Sequence, residues 1–253
     1  MKTRYLLWRS SARAGIFAVG ALLALMSPSF AVKAQQKVSK RYPASKNVRI
    51  ELRNISGTIV VESWDKDEIR LTATLESKNA SVVPKQIDQN LVVDVMSDNR
   101  GKGDIGDVNF KLQVPVNSSV DVETKRGNIS VTNIRSGLVR AHVSSEGDII
   151  LANVVASHVI AQNVMGDIFF DGEFSRGGTY EFKSNKGNIT IRIPGDSDFR
   201  LVAASPARRI ALNDFWNQNF KSQDGRRITG DVGDGRSSVS VTNFSGQITF
   251  MRR

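Results

Sequence analysis

From residue 48 to the end, apolar and polar side chains alternate at period two, and the alternation is organised around glycines. A glycine, one polar residue, then apolar residues two and four positions on occurs six times: Gly57-Thr-Ile59-Val-Val61, Gly127-Asn-Ile129-Ser-Val131, Gly147-Asp-Ile149-Ile-Leu151, Gly166-Asp-Ile168-Phe-Phe170, Gly187-Asn-Ile189-Thr-Ile191 and Gly246-Gln-Ile248-Thr-Phe250. Seven and five positions before five of these glycines stand further apolar pairs: Ile50/Leu52, Val120/Val122, Val159/Ala161, Tyr180/Phe182 and Val239/Val241. Before Gly147 the pattern returns as Val139, Ala141 and Val143 if its turn holds one extra residue. Each unit therefore reads as strand, turn, strand, turn, with one buried face per strand.

The central glycines are 20, 19 and 21 residues apart. Units of that period stack as coils of a β-solenoid, each burying its inward row against the next coil. The predicted fold is all-β and solenoid-like, with coils of about 20 residues and two strands each; an antiparallel sandwich with hairpin turns is the alternative. Gly57, Gly127, Gly147, Gly166, Gly187 and Gly246 are assigned to corners, where positive φ is free of a Cβ penalty, and the Asn or Asp that follows tolerates turn geometry. Three more alternating strands, Ile69/Leu71/Ala73/Leu75, Leu91/Val93/Val95 and Phe110/Leu112/Val114, are separated by longer polar loops. This irregular N-terminal region, residues 48–118, is expected to cap the solenoid or widen its sheet. Regular repeats occupy 119–194, an irregular insertion 195–235, and a last strand pair 236–253. Helix signals are nearly absent after the N-terminus, one turn within 213–221 excepted.

The N-terminus changes the reading of the charge. A basic stretch is followed by the apolar run Ala14–Met26, then Pro28 and small-residue sites ending at Ala31 and Ala34, the pattern of a secretory signal peptide and too short for a comfortable span. Cleavage is expected after Ala34, with Ala31 as the alternative, leaving an exported chain, periplasmic or extracellular, with no membrane span. The formal net charge is +10; residues 1–34 carry five basic residues and no acid, so the mature chain keeps +5. That modest excess on an exported protein argues against nucleic acid as partner. Residues 35–47, polar and basic, are expected to form a mobile leader, followed by a single domain over 48–253.

Candidate chemistry is sparse. The chain has no cysteine, which removes disulfides, thiolate metal sites, thiol catalysis and a lipoprotein anchor. His142 and His158 fall in strand patterns and read as solvent-facing, so no metal site is assigned. Asp148 and Asp167 share the slot after the corner glycine with Asn128, Asn188 and Gln247, which points to turn chemistry rather than a cation ladder. The acids of the 97–107 loop lack the spacing of a calcium loop. Asp231 and Asp234 lie in a glycine-rich turn with no third acid, and no Gly-x-Ser-x-Gly elbow presents a serine. No cofactor and no catalytic residue is assigned. One segment breaks the repeat: Ser205–Arg227 interleaves Phe215, Trp216 and Phe220 with Arg208, Arg209, Lys221, Arg226 and Arg227. Aromatics beside arginines suit stacking on sugar faces or holding an anionic partner; a plug of the solenoid end is the competing role for the three rings. Arg208, Arg209, Phe215, Trp216, Phe220, Arg226 and Arg227 form the candidate ligand-binding set.

The run from Phe110 to Ile129, the serial Gly-Asp-Ile and Gly-Asn-Ile units, and Gly230-Asp-Val-Gly-Asp-Gly235 before the last strand pair together resemble the bacterial putative-adhesin family, a domain of unknown function made of β-helical repeats. The resemblance covers about residues 48–251 and departs from a regular repeat between Gly195 and Gly235. It implies an exported β-solenoid-like domain of adhesion or envelope sensing and brings no catalytic residues. The expected function is non-enzymatic binding of an envelope glycan or envelope protein; a structural or stress-sensing role is the second reading and a polysaccharide-active enzyme the third.

Overall fold

The computed structural model describes residues 35–45, 47–97 and 105–253. The expected signal peptide and its cleavage sites lie outside the described residues, as does most of the 97–107 loop. Among the described residues nineteen strands follow in chain order: β1 (Gln36–Pro43), β2 (Arg49–Ser56), β3 (Ile59–Trp64), β4 (Glu68–Leu75), β5 (Ala80–Ile87), β6 (Asn90–Ser97), β7 (Val108–Pro115), β8 (Ser119–Arg126), β9 (Ile129–Thr132), β10 (Arg135–Glu146), β11 (Ile149–Met165), β12 (Ile168–Lys186), β13 (Ile189–Ile193), β14 (Phe199–Ala204), β15 (Ile210–Ala211), β16 (Lys221–Gln223), β17 (Arg227–Val232), β18 (Ser237–Asn243) and β19 (Ile248–Arg252). One turn of 3-10 helix, Asn213–Phe215, falls in the stretch where the sequence allowed a turn.

The strands form two ladders. In the first, β6, β2, β8, β10, the later part of β11, the later part of β12, β18 and β14 lie side by side, every pair parallel. In the second, β7, β3, β9, the start of β11, the start of β12, β13, β19 and β15 do the same. One strand from each ladder makes a coil, so parallel coils replace the hairpins that a sandwich would need. Antiparallel pairing is confined to the two ends: β1 on β4, β4 on β7 and β5 on β6 at one, β17 on β14 and β16 on β17 at the other. The inward rows are continuous columns. One runs Leu91, Ile50, Val120, Val139, Val159, Tyr180, Val239, Leu201, and its counterpart runs Phe110, Ile59, Ile129, Ile149, Ile168, Ile189, Ile248, all essentially solvent-free. Each such side chain contributes about 1.5–3 kcal/mol of burial.

Stack order differs from chain order at both ends. The coil of β6 and β7 lies outside that of β2 and β3, although it follows it in sequence, and the final strands β18 and β19 insert between the coil of β12 and β13 and that of β14 and β15. The insertion read as irregular at 195–235 therefore contains a further coil, β14 with β15, followed by the β16–β17 hairpin.

Two expectations are corrected. The stretch expected to be a mobile leader contains a strand: all eight residues of β1 pair with β4, and Val38 and Tyr42 pack on the core. Polar composition hid a strand that is stabilised by backbone pairing along an exposed edge, where Lys and Pro blunt association with other chains. Corner positions also need glycine for a second reason beyond φ. A Cβ on Gly127 would sit 2.3 Å from the Gly57 carbonyl oxygen, one on Gly166 2.3 Å from that of Gly147, and one on Gly246 1.6 Å from that of Gly187. The glycines stack directly on one another, so backbone occupies the space of each missing side chain. Gly127 does have left-handed φ, +114°, but Gly246 does not; close approach alone demands glycine there.

Beneath the corner runs a buried column of side-chain amides and hydroxyls. Asn54 Nδ2 donates to the carbonyls of Ser56 and Val108, Asn163 Nδ2 to that of Gly166, and Asn243 Nδ2 to that of Gly187, at 2.8–3.0 Å. Thr124 and Ser184 hold the same position in intervening coils. Outside the corner, Oδ1 of Asn128, Asp148, Asp167 and Asn188 accepts from the backbone N–H of Asp148, Asp167, Asn188 and Gln247 in turn, at 2.7–3.1 Å. The carboxylates thus tie coil to coil.

Larger rings fill the later coils: Phe182 stacks in register on Ala161, and Phe170, Phe174, Tyr180, Phe199 and Phe250 form a chain of ring contacts. The Tyr180 hydroxyl donates to the Ala156 carbonyl at 2.7 Å and accepts from the Ser175 N–H at 2.5 Å. Burial pushes its pKa up, against a smaller lowering by the Ser175 bond. The folded state then holds the proton where the unfolded chain releases it, so this contribution is complete below about pH 10 and falls as pH rises beyond it. Tyr180→Phe is expected to shallow the alkaline loss of stability above about pH 10, measured by urea unfolding across pH; an unchanged alkaline limb contradicts it.

Candidate functional site

The coil of β14 and β15 ends the stack, and the segment after it closes the open end. At this last corner, Arg208-Arg209-Ile210 stands in the slot that Gly-x-Ile fills elsewhere, with Ile210 in register on Ile248 and Arg208 at φ +59°. Leu212 and Phe215 turn inward, and the Phe215 ring meets Phe199 at 5.8 Å and Phe250 at 6.5 Å edge-on. Asn213 Nδ2 donates to the Phe250 carbonyl at 2.7 Å. After this turn the chain extends and Trp216 faces out.

Phe215 is 4% exposed, Phe220 7% and Trp216 53%. Two of the three aromatics in the candidate ligand set are therefore core, and that part of the assignment is corrected: their inward faces are occupied by other rings or by the backbone of Gly230. Trp216 lies nearly parallel on Phe220, centroids 5.6 Å apart and planes 21° apart, so one indole face rests on a buried ring and the other is offered to solvent. Asn217 fixes the loop below it, donating from Nδ2 to the Asp231 carbonyl at 3.1 Å and accepting from the Asn219 N–H at 2.8 Å.

Arg208, Arg209, Arg226 and Arg227 are exposed, and among the described residues none forms an ion pair. The Ser205 N–H donates to the Arg226 carbonyl at 2.7 Å, and Arg208 Cβ is 3.6 Å from where a Cβ on Gly225 would stand. These contacts bring Arg208 against the β16–β17 turn that carries Arg226. Lys221, exposed on β16, adds a charge; Asp214 and Asp224 are the acids of the segment. Arg200 contrasts with them: it holds Asp231 at 2.9 Å, and that hydrogen bond and charge raise its pKa. A half-exposed indole can stack on a sugar face, and unpaired guanidinium groups can hold carboxylate or phosphate oxygens.

The remaining candidates are dispersed. His142 Nδ1 stands 3.7 Å from Glu123 and His158 Nδ1 3.2 Å from the Gly137 carbonyl, one coil apart on outward rows. Asp231 is occupied by Arg200, and Asp234 pairs with Arg236, which also holds Asp198 at 3.2 Å. Among the described residues no group of three metal-ligating side chains converges, and no helix is long and apolar enough to cross a membrane. Sequence reasoning missed the buried Asn54, Asn163 and Asn243 column, although its signal was present: each lies three residues before a repeat glycine.

Parallel two-strand coils with a glycine corner define the protein as a β-solenoid. The family described as Toastrack DUF4097 matches residues 96–250, more than half of the chain, and the chain belongs to that family, a domain of unknown function. No curated protein matches the sequence. Among solved structures, a "putative cell adhesion protein" from Clostridium sporogenes ATCC 15579 is 10% identical over 87% of this chain and 100% of its own, with a TM-score of 0.49. A "putative adhesin" from Bacteroides fragilis NCTC 9343 is 11% identical over 87% and 99%, with a TM-score of 0.34. A "putative lipid binding protein" from Parabacteroides distasonis ATCC 8503 is 14% identical over 85% and 96%, with a TM-score of 0.27.

Proposed function

We propose that this chain is an exported, non-enzymatic binding protein of the bacterial envelope or exterior, which loses its signal peptide after Ala34 and holds an anionic or glycan-bearing envelope component on its capped end. Trp216 supplies the stacking face, and Arg208, Arg209, Arg226 and Arg227 supply the charge. Phe215 and Phe220 are the packing that holds this surface rigid. The observation that carries the reading is Trp216 itself, stacked flat on a buried ring yet half-exposed, in the same closing segment as four exposed arginines that form no ion pair among the described residues. Solvation of an exposed indole costs free energy that packing inward would recover, so its outward position suits contact with a partner.

The test compares two neighbours in sequence. Trp216→Ala is expected to change stability by less than about 0.5 kcal/mol and to lower retention on purified cell-wall glycan about tenfold or more. Phe215→Ala is expected to cost about 3 kcal/mol. Unfolding midpoints and glycan pull-down on the same samples decide it. A parent protein that retains no envelope glycan or protein, with Trp216→Ala silent in both assays, transfers the cap to the purely structural reading.

A further inference from the structure

A second exposed feature lies on the ridge where the first ladder turns into the glycine corner, on the coils stacked below the one that carries Arg208. Registered coils place Val164, Asn185 and Phe244 in one row there and Met165, Lys186 and Ser245 in the next. Phe244 is 66% exposed, the highest value among the large apolar side chains described, with Val164 at 41% and Met165 at 40%. Coils repeat about every 4.8 Å, so these three side chains fall within about 10 Å of one another. Their backbone is fixed: the Phe244 N–H donates to the Ser184 carbonyl at 3.0 Å and the Ser245 N–H to that of Asn185 at 3.1 Å. They are held out by the coil geometry.

Basic residues border this crest. Lys183 and Lys186 lie on the coil between Val164 and Phe244, and Lys125 and Arg126 on the same ridge further down the stack. All four are exposed, and none is ion-paired among the described residues. Glu146 is the acid within the row.

We propose that this ridge docks the protein onto an anionic lipid surface, with Phe244, Val164 and Met165 entering the headgroup boundary and the bordering lysines and Arg126 resting on lipid phosphates. Interleaving decides for lipid over a protein partner. Lysine is depleted from the cores of protein interfaces, whereas on a membrane its stem lies along the apolar layer while the ammonium group reaches the phosphates. Juxtaposed unpaired positive charges add attraction to an anionic leaflet. This inference is independent of the cap, because it uses none of the cap residues.

Flotation of the full mature chain with vesicles of phosphatidylcholine alone, and with about one third phosphatidylglycerol, tests it. Binding is expected to the anionic vesicles only and to fall about tenfold in roughly 0.5 M salt. Phe244→Ser and the pair Lys183→Glu, Lys186→Glu are each expected to weaken it about tenfold, with unfolding midpoints unchanged. Because the chain lacks cysteine, Phe244→Cys accepts one environment-sensitive dye, whose emission is expected to shift to the blue on vesicles. Absence of flotation overturns the proposal, as does flotation indifferent to Phe244→Ser, or a dye that stays in water on bound protein. Loss of vesicle binding only on Arg226→Glu with Arg227→Glu also overturns it and assigns lipid to the cap; the glycan pull-down, read separately, leaves the two proposals distinguishable.

Discussion

Gly166→Val is expected to destabilise the protein by about 4 kcal/mol or more, since two costs fall on one position. Gly166 has φ +126°, and left-handed backbone costs a residue with a Cβ roughly 1–2 kcal/mol. The new Cβ would also stand 2.3 Å from the Gly147 carbonyl oxygen and 2.6 Å from its carbon. Overpacking against side chains costs roughly 1–3 kcal/mol, but here the obstacle is the backbone of the neighbouring coil, which cannot rotate aside. The stack must open, weakening the Asn163 bonds to the Gly147 and Gly166 carbonyls as it does. Two other glycines separate the costs. Gly177 has φ +75° and nothing within 4 Å of its Cβ position, so Gly177→Ala is expected to cost about 1–2 kcal/mol. Gly137 has neither feature, and Gly137→Ala is expected to be neutral or slightly stabilising. Urea unfolding of the series checks the ranking; equal costs at Gly166 and Gly177 contradict the stacked-backbone account.

Removal of residues 237–253 is expected to abolish cooperative folding. These residues form β18 and β19, which insert between two earlier coils. Val239, Val241, Ile248 and Phe250 are all buried there, together worth roughly 6–12 kcal/mol at about 1.5–3 each, comparable to the roughly 5–15 kcal/mol stability of a whole domain. The deletion also strands polar groups. Asp171, buried, keeps Arg192 at 2.5 Å but loses Arg253 at 3.2 Å, and β14 loses its parallel partner along its full length. Had the coils followed chain order, the same cut would remove only one terminal coil and leave the remainder folded. Circular dichroism and urea unfolding of the truncated chain distinguish the two: a sharp transition near the parental midpoint contradicts the inserted placement.

The cap shows how far sequence reading reaches into the candidate site. Interruption of the repeat at 205–227 was visible, as were its aromatics and arginines, because departure from a strong period is itself a signal. Which of Phe215, Trp216 and Phe220 turns outward was not visible. All three are large and apolar, and the choice rests on one 3-10 turn that aims Phe215 at Phe199 and Phe250, residues 16 and 35 positions away. The arginines were legible as a cluster, but their lack of acidic partners became clear only when Asp231 and Asp234 were found engaged by Arg200 and Arg236.

By itself the sequence determined the all-β class, the two-strand coil with its inward columns, the extra residue before Gly147 and the corner glycines, because each is set by local alternation and a period near twenty. The register shift between Val143 and Glu146 shows that extra residue in place. Tertiary structure decided the order of the coils. One Gly-x-Ile unit offers the same backbone edge and nearly the same apolar row as another, so no local pattern states that β6 and β7 lie outside β2 and β3, or that the last strands enter between earlier ones. Partner choice among equivalent edges is resolved by long-range fit: rings where small residues leave room, Phe182 over Ala161, and arginines where a buried carboxylate waits, Arg192 and Arg253 on Asp171. The same holds for β1, whose mostly polar sequence turns only Val38 and Tyr42 toward the core and which pairs along its whole length with the edge that β4 presents.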